Sequence, residues 1–269
     1  MFLNGDDNVD KFSWSSDTYL RFQQERTQPS KDLAAAIKLT APKRIIDIGC
    51  GPGNSTAVLK EKYPSAEVIG VDNSENMLQK ARDSHPDISF VYHDVSKGFD
   101  SLKEKADGFD VVFSNACIQW VPDHKKLIPN MLSLLKKGGI MAVQVPLTER
   151  QPMHKALNEI SEQGKWQGRF PDLGSYHTLS PEEYYDILSQ NSAYFRMWET
   201  TYYHRLSGIE GVVDWYRGSA LRPYLERLDA AEQKEFETQL LEMIKDSYHV
   251  QQNGEIIFRF PRLFITAET

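Results

Sequence analysis

The stretch IDIGCGPGNSTAVL, residues 46–59, passes from an apolar run through three closely spaced glycines, Gly49, Gly51 and Gly53, into a helix-forming segment. A strand, a glycine turn and a helix in that order set backbone N–H groups and the positive end of a helix dipole beside a ligand. Apolar, β-rich runs recur at 44–49, 67–72, 88–94, 109–115 and 138–145, alternating with helix-like segments at 55–63, 74–84 and 123–136. That alternation is the βαβ rhythm of a parallel sheet, so the first half of the chain is α/β. Ser74 and Asp123 are predicted N-caps, and Gly138-Gly139 a helix stop.

After Pro146 the rhythm changes. A helix is predicted near 181–189, and FRMWETTYYHRL (195–206), rich in aromatic and β-branched residues, reads as a strand. Asp229 can cap a helix whose Phe236, Leu240, Met243 and Ile244 recur at helical spacing. Asn253-Gly254 gives a turn into a last strand ending near 268. No internal repeat, low-complexity tract or Pro-rich linker marks a second domain. The expected organisation is one domain over 1–269, with an N-terminal helical segment at 1–40 and a cofactor-binding core at 41–146. Cap elements at 147–194 and 207–252 and closing strands at 195–206 and 253–269 complete it.

The 269 residues, 40% hydrophobic and 26% charged, are enough for one large globular domain. A net charge of -7 argues against general affinity for nucleic acid or anionic membrane, so an anionic ligand would need a local basic pocket. The acidic start MFLNGDDNVDK lacks the basic and apolar regions of a signal peptide, and no run reaches membrane-spanning length; a cytoplasmic protein is expected. Cys50 and Cys117 are too few for a disulfide framework and sit in no metal-site pattern, so free thiols and no metal are expected.

A nucleotide-hydrolase phosphate loop would end in Gly-Lys-Ser/Thr, but Asn54-Ser55 follow Gly53. The dinucleotide pattern GxGxxG fits better, although its third glycine falls on Asn54. S-adenosylmethionine is the alternative, with a methionine ammonium and carboxylate, a ribose diol and an adenine in place of phosphates. Asp47 could take the ammonium, directly or through water, and the glycines would admit the backbone to close approach. Asp72, ending the second strand, suits a ribose diol of either cofactor. Asp94, ending the third, is placed for an adenine amine, and Asn115 ends the fourth at the open edge. Both cofactors remain open on these residues alone.

The chain as a whole resembles the class I S-adenosylmethionine-dependent methyltransferases. The stretches IQWVPDH, TTYYHR and FPRLF narrow the likeness to the branch that methylates a carboxylate of a small polycarboxylic acid, trans-aconitate first, to a monomethyl ester. The resemblance implies a Rossmann-like seven-stranded sheet, mostly parallel with an antiparallel last strand, plus helical cap elements. It implies S-adenosyl-L-methionine contacts by Asp47, the three glycines, Asp72 and Asp94, and makes 1–40 a lid whose Tyr19, Phe22 and Arg26 share one helical face. The chain departs from the family at Trp14-Ser15-Ser16, where Trp-Asn-Pro is usual, and at Thr148-Glu149, where Asn-Trp is usual.

An ionised carboxylate attacking a sulfonium methyl needs no general base, so orientation and water exclusion carry the rate. This agrees with the lack of a Ser-His-Asp or paired-acid arrangement. The other carboxylates of such an acid call for arginine, whose planar fork suits them better than a lysine point charge. Arg222 in LRPYL and Arg262, in phase with Phe258, Phe260 and Phe264, are the candidates. Tyr203 and His204 are added from the preceding strand, where alternation puts Tyr203 opposite Tyr202 and His204. Gln119 and Trp120 are added from the edge of the fourth strand.

Overall fold

The computed structural model describes residues 23–103, 108–171, 173 and 176–269. Seven strands form one sheet: β1 (Arg44–Ile48), β2 (Glu67–Asp72), β3 (Ser89–Tyr92), β4 (Phe109–Asn115), β5 (Leu135–Pro146), β6 (Tyr194–Ser207) and β7 (Glu255–Glu268). Their order is β3-β2-β1-β4-β5-β7-β6. The first five strands pair in parallel, and β7 runs antiparallel to both neighbours. This is the mostly parallel α/β sheet the sequence predicts. The helices are α1 (Gln23–Ala36), α2 (Asn54–Lys62), α3 (Glu75–Ser84), α4 (Asp100–Lys103), α5 (His124–Leu132), α6 (Pro152–Ser161), α7 (Pro181–Asn191), α8 (Glu210–Arg217), α9 (Arg222–Leu225) and α10 (Ala230–Ile244).

The parallel strands read as near-continuous apolar runs because both faces are covered. Ile45, Phe113, Ala142 and Phe264 pack under Leu33 and Ile37 of the α1 region and Leu59 of α2. Ile46, Val112, Met141 and Ile265 pack under Ile128 of α5 and Leu188 of α7. Buried His124 pins that second layer: its Nε2 meets the Ile118 carbonyl at 2.8 Å and its Nδ1 the Tyr184 hydroxyl at 2.6 Å. A carbonyl only accepts, so Nε2 carries the proton and Nδ1 accepts from Tyr184. Burial lowers the pKa and keeps the ring neutral.

Ser74 caps α3, its hydroxyl accepting from the Met77 amide, and Asp229 caps α10 in a capping box with Glu232. Three local expectations are corrected. Asp123 makes no side-chain cap: it sits at φ 56 and its carboxylate pairs with Lys126 at 2.7 Å. Gly138 and Gly139 do not stop a helix. The helix ends at Leu132, and the glycines lie inside β5 where the β4 register jumps from Leu135 to Ile140, with Gly138 at φ 76. Met243 is exposed, while Phe236, Leu240 and Ile244 carry the buried face of α10.

The pairing of β7 decides where the cap goes. It pairs with β5 only from Arg262 to Glu268 but with β6 along its full length. The Glu255–Pro261 half of the β6–β7 hairpin therefore runs on past the carboxyl end of β5. There α6, α8 and α10 build a second core, in which Met153, Leu157, Val212, Trp215, Phe236 and Leu240 pack with Phe258 and Phe260 of the hairpin. The carboxyl ends of parallel strands are where α/β sheets bind ligands, so the cap stands over that edge.

Candidate active site

The three glycines have three different surroundings. A Cβ on Gly49 (φ 70) would lie 1.9 Å from Cys117 Sγ, so this position packs the turn against the loop after β4. One on Gly53 (φ 89) would lie 2.9 Å from His85 Cδ2 and 3.0 Å from Phe90 Cζ, so this glycine lets α2 approach α3 and β3. Only Gly51 (φ 53) faces open space, with no atom within 4 Å of a built Cβ. The three glycines thus differ in what requires them: Gly49 and Gly53 are needed for close packing of the turn, and Gly51 leaves open space beside the backbone. Asp72 ties the turn to the next strand, taking the Gly51 and Ser74 amides at 2.9 Å each.

Asp47 is fully buried on β1. Its Oδ2 accepts from Ser55 (2.6 Å) and Thr56 (2.7 Å) in the first turn of α2, while Oδ1 has no hydrogen-bond partner among the described residues. Burial raises its pKa to about 6 against the two hydroxyl bonds. Asp94 departs from expectation: β3 ends at Tyr92, and Asp94 caps the turn Val95–Lys97 through the Ser96 amide (3.1 Å) and hydroxyl (2.6 Å). Those bonds, Ser96 first, lower its pKa.

Strand register places Asp47, Asn115, Gln144 and Arg262 on one sheet face, on β1, β4, β5 and β7. Asn115 is the ladder partner of Gln144, and Arg262 of Pro146, so the row is continuous. Gln144 is fully buried and Arg262 only 5% exposed. Arg262 Nη1 donates to Gln144 Oε1 at 3.1 Å. Asn115 Oδ1 and Gln144 Nε2 are buried without a hydrogen-bond partner among the described residues.

Arg262 enters an aromatic enclosure. Its guanidinium lies 4.6 Å from the Phe260 ring centre and 6.0 Å from that of Tyr202, whose hydroxyl donates to Asp32 of α1. His204 is buried and stacks on Trp215 at 4.5 Å; burial, then the Arg262 charge, push its pKa down to about 4. Tyr176 stacks on buried His154 at 4.9 Å and meets Trp120 edge-on at 4.5 Å. Burial alone lowers His154 to about 4. Trp120, His154, Tyr176 and Tyr224 line a cavity of about 260 Å³. Gln119 is buried beside them, its amide donating to the Ala116 carbonyl at 2.8 Å.

Two proposed contacts are corrected. Tyr203 is 63% exposed under Arg259, because alternation sends it to the face opposite His204 and Arg262. Arg222 forms a surface pair with Glu226 at 2.6 Å instead of joining the buried row. Tyr19 and Phe22 lie outside the described residues, as do Trp14-Ser15-Ser16 and the side chain of Arg26. Thr148 is buried at the start of the turn after β5. Gln144, Ser55, Thr56, Tyr176 and His154 were not singled out by the sequence. A lone glutamine in the apolar run IMAVQVP was the available signal.

Among the described residues no cluster of three or more His, Cys, Asp or Glu side chains could hold a metal ion. No helix there is long and apolar enough to cross a membrane.

The sheet order, the glycine turn with Asp47 and Asp72, and a cap over the carboxyl edge define a methyltransferase fold, and a methyltransferase-domain family model matches residues 39–192. The chain belongs to the S-adenosyl-L-methionine-dependent methyltransferases, and S-adenosyl-L-methionine is its cofactor. Within them it is 38% identical to the trans-aconitate 2-methyltransferase of Escherichia coli O7:K1, over 94% of this chain and 97% of that one. Among solved structures, the YcgJ protein of Bacillus subtilis aligns with a TM-score of 0.60 at 18% identity, covering 91% of this chain and 98% of its own. Phosphoethanolamine N-methyltransferase 2 of Haemonchus contortus, solved with S-adenosyl-L-methionine, aligns at 0.52 and 15%, covering 90% and 52%. The dinucleotide reading of the glycine turn is thereby overturned: the methyl donor, not NAD, is the cofactor.

Proposed function

We propose that the enzyme methylates a carboxylate oxygen of a small polycarboxylic acid, trans-aconitate first, giving a monomethyl ester. The observation that carries this reading is Arg262, a buried guanidinium set among aromatic rings on the same sheet face as Asp47. The trans-aconitate 2-methyltransferase relatives agree with it.

The residues fit the donor. Asp47 offers a buried oxygen without a hydrogen-bond partner among the described residues for an ammonium, and Gly51 a bare backbone facing open space. Asp72 stands for the ribose diol, and Asn115 closes the methionine end. Asp94 is retained for adenine only through the acceptor capacity its Ser96 bonds leave. The bound donor supplies a methyl group already activated on sulfonium.

The acid arrives ionised, so the chain's work is to hold it and keep water out. Arg262 neutralises a carboxylate that does not react. His204 stays uncharged near pH 7, so it adds hydrogen bonding without a second cation. Trp120, which lines the cavity, and its buried neighbour Gln119 are further candidate contacts.

Incubation with labelled donor and trans-aconitate, cis-aconitate, isocitrate and citrate is expected to give base-labile ester, with trans-aconitate leading. Donor binding with no acid methylated would remove the acid and leave the methyltransferase.

Asp47 gives the donor site a pH dependence of definite sign. The folded carboxyl keeps its proton up to about 6, whereas the unfolded one loses it near 3.8. The stability it contributes is present below 3.8 and lost as pH rises through about 6. An ammonium needs the ionised form, so donor affinity measured by calorimetry is expected to be level above pH 7 and to fall below about 6. Asp47→Asn is expected to flatten that profile and weaken donor binding about 10-fold. A profile unchanged in the variant would assign the titration elsewhere.

A further inference from the structure

The buried row contains a donor that the reading above leaves unused. Gln144 sits between Asn115 on β4 and Arg262 on β7, which the reading above gives to the methyl donor and to the acid. An amide can turn either end outward, and Arg262 settles which. A guanidinium has no acceptor, so Gln144 must give it Oε1, and the observed contact is Nη1 to Oε1 at 3.1 Å. The NH2 group is thereby aimed away from Arg262. It is fully buried, with no hydrogen-bond partner among the described residues. Leaving a buried donor unmet is costly, so such a group has a partner in the working complex.

We infer that Gln144 is the positioning residue for the carboxylate that receives the methyl group, while Arg262 holds a different carboxylate of the same molecule. This rests on the polycarboxylate reading proposed above. The chemistry favours the division. A guanidinium on the reacting carboxylate would draw electron density from the nucleophilic oxygen. A neutral amide bound to one oxygen fixes the plane of the carboxylate and leaves the other oxygen its lone pairs. In the transfer, that second oxygen forms the C–O bond as the methyl carbon–sulfur bond breaks. The electron pair returns to sulfur and the negative charge of the carboxylate is cancelled, with no proton moved. The acceptor class is thus an acid with at least two carboxylates, one for each group.

Gln144→Leu removes the donor and keeps the volume, and Gln144→Glu keeps the shape while pairing with Arg262. In Gln144→Leu, kcat for trans-aconitate is expected to fall about 30- to 100-fold, KM to rise less than about 5-fold, and donor affinity to stay within about 2-fold. In Gln144→Glu, trans-aconitate binding to the S-adenosylhomocysteine complex, read by calorimetry, is expected to vanish because the new charge cancels the cation and repels the acid. Crotonate, with one carboxylate, is expected to be a poor acceptor for the parent and both variants. A parent enzyme that binds no polycarboxylate would overturn the acid reading and this assignment together. A parent that binds and methylates the acid, beside a folded Gln144→Leu with unchanged kcat, would overturn the role of Gln144 alone. If Gln144→Leu does not fold, retained acid binding in Gln144→Glu overturns it equally.

Discussion

Arg262→Met is expected to lower kcat/KM for trans-aconitate by about 1,000-fold while donor affinity changes less than about 3-fold, since removing one partner of a buried charge pair costs roughly 2–5 kcal/mol. Arg262 and Gln144 are hydrogen-bonded inside the sheet, so the loss divides into two parts. The acid loses its cation, which raises KM. Gln144 loses the contact that orients it, which lowers kcat. Arg262→Lys keeps the charge but not the fork, and is expected to act mostly through KM, by about 10- to 30-fold. Neither variant should unfold: in Arg262→Met, relief of a buried charge offsets much of the lost hydrogen bond, and in Arg262→Lys an ammonium can still donate to Gln144 Oε1. Steady-state kinetics over the acid panel, with donor calorimetry and a melting curve for each variant, are the measurements. Equal weakening of donor and acid binding would place Arg262 in the cofactor site.

The second large effect separates two glycines only two positions apart. In Gly49→Ala the new methyl would lie 1.9 Å from Cys117 Sγ and 2.3 Å from its Cβ, at a backbone φ of 70. Left-handed strain and overpacking together are expected to cost about 2–5 kcal/mol of stability, read by denaturant unfolding. Cys117→Gly removes both clashing atoms and should restore part of it, a coupling expected only of residues in contact. In Gly51→Ala nothing is struck, and the strain at φ 53 costs about 1–2 kcal/mol. Its methyl enters the space assigned to the donor, so donor affinity is expected to fall at least about 30-fold. If Gly51→Ala kept full affinity, the open side of the turn would not be the cofactor's.

The contrast shows what a glycine motif does and does not disclose. The run from Ile46 to Leu59 announces strand, turn and helix because each is coded locally, by apolar run, glycine and helix former. The closing strands are legible for the same reason, since FRMWETTYYHRL alternates and Asn253-Gly254 turns. Which glycine has open space beside it depends on Cys117 and Phe90, far along the chain, and periodicity does not carry that. Arg222 and Arg262 look alike as arginines beside apolar residues. Only the ladder, with Arg262 opposite Pro146 and diagonal to Gln144, puts one inside and leaves the other with Glu226 at the surface. Alternation separated Tyr203 from His204 but could not say which face was covered. Asp94 reads as the end of a strand that stops two residues earlier, at Tyr92, because the cap it makes with Ser96 is not coded in the apolar run.

The overhanging β6–β7 hairpin has an evolutionary consequence. Its near half is locked into the main sheet, while its far half belongs to a core of separate composition, so Trp215, Phe236 and Phe258 pack in a different cluster from Ile45, Phe113 and Phe264 of the sheet face that carries Asp47. Arg262 stands at the junction, the last β7 residue before the hairpin leaves β5. Divergence in this architecture can therefore run at two rates. On the proposed reading, the overhang could accommodate a different acceptor while the packing of the donor turn stays as it is, with Arg262 at the border between the two.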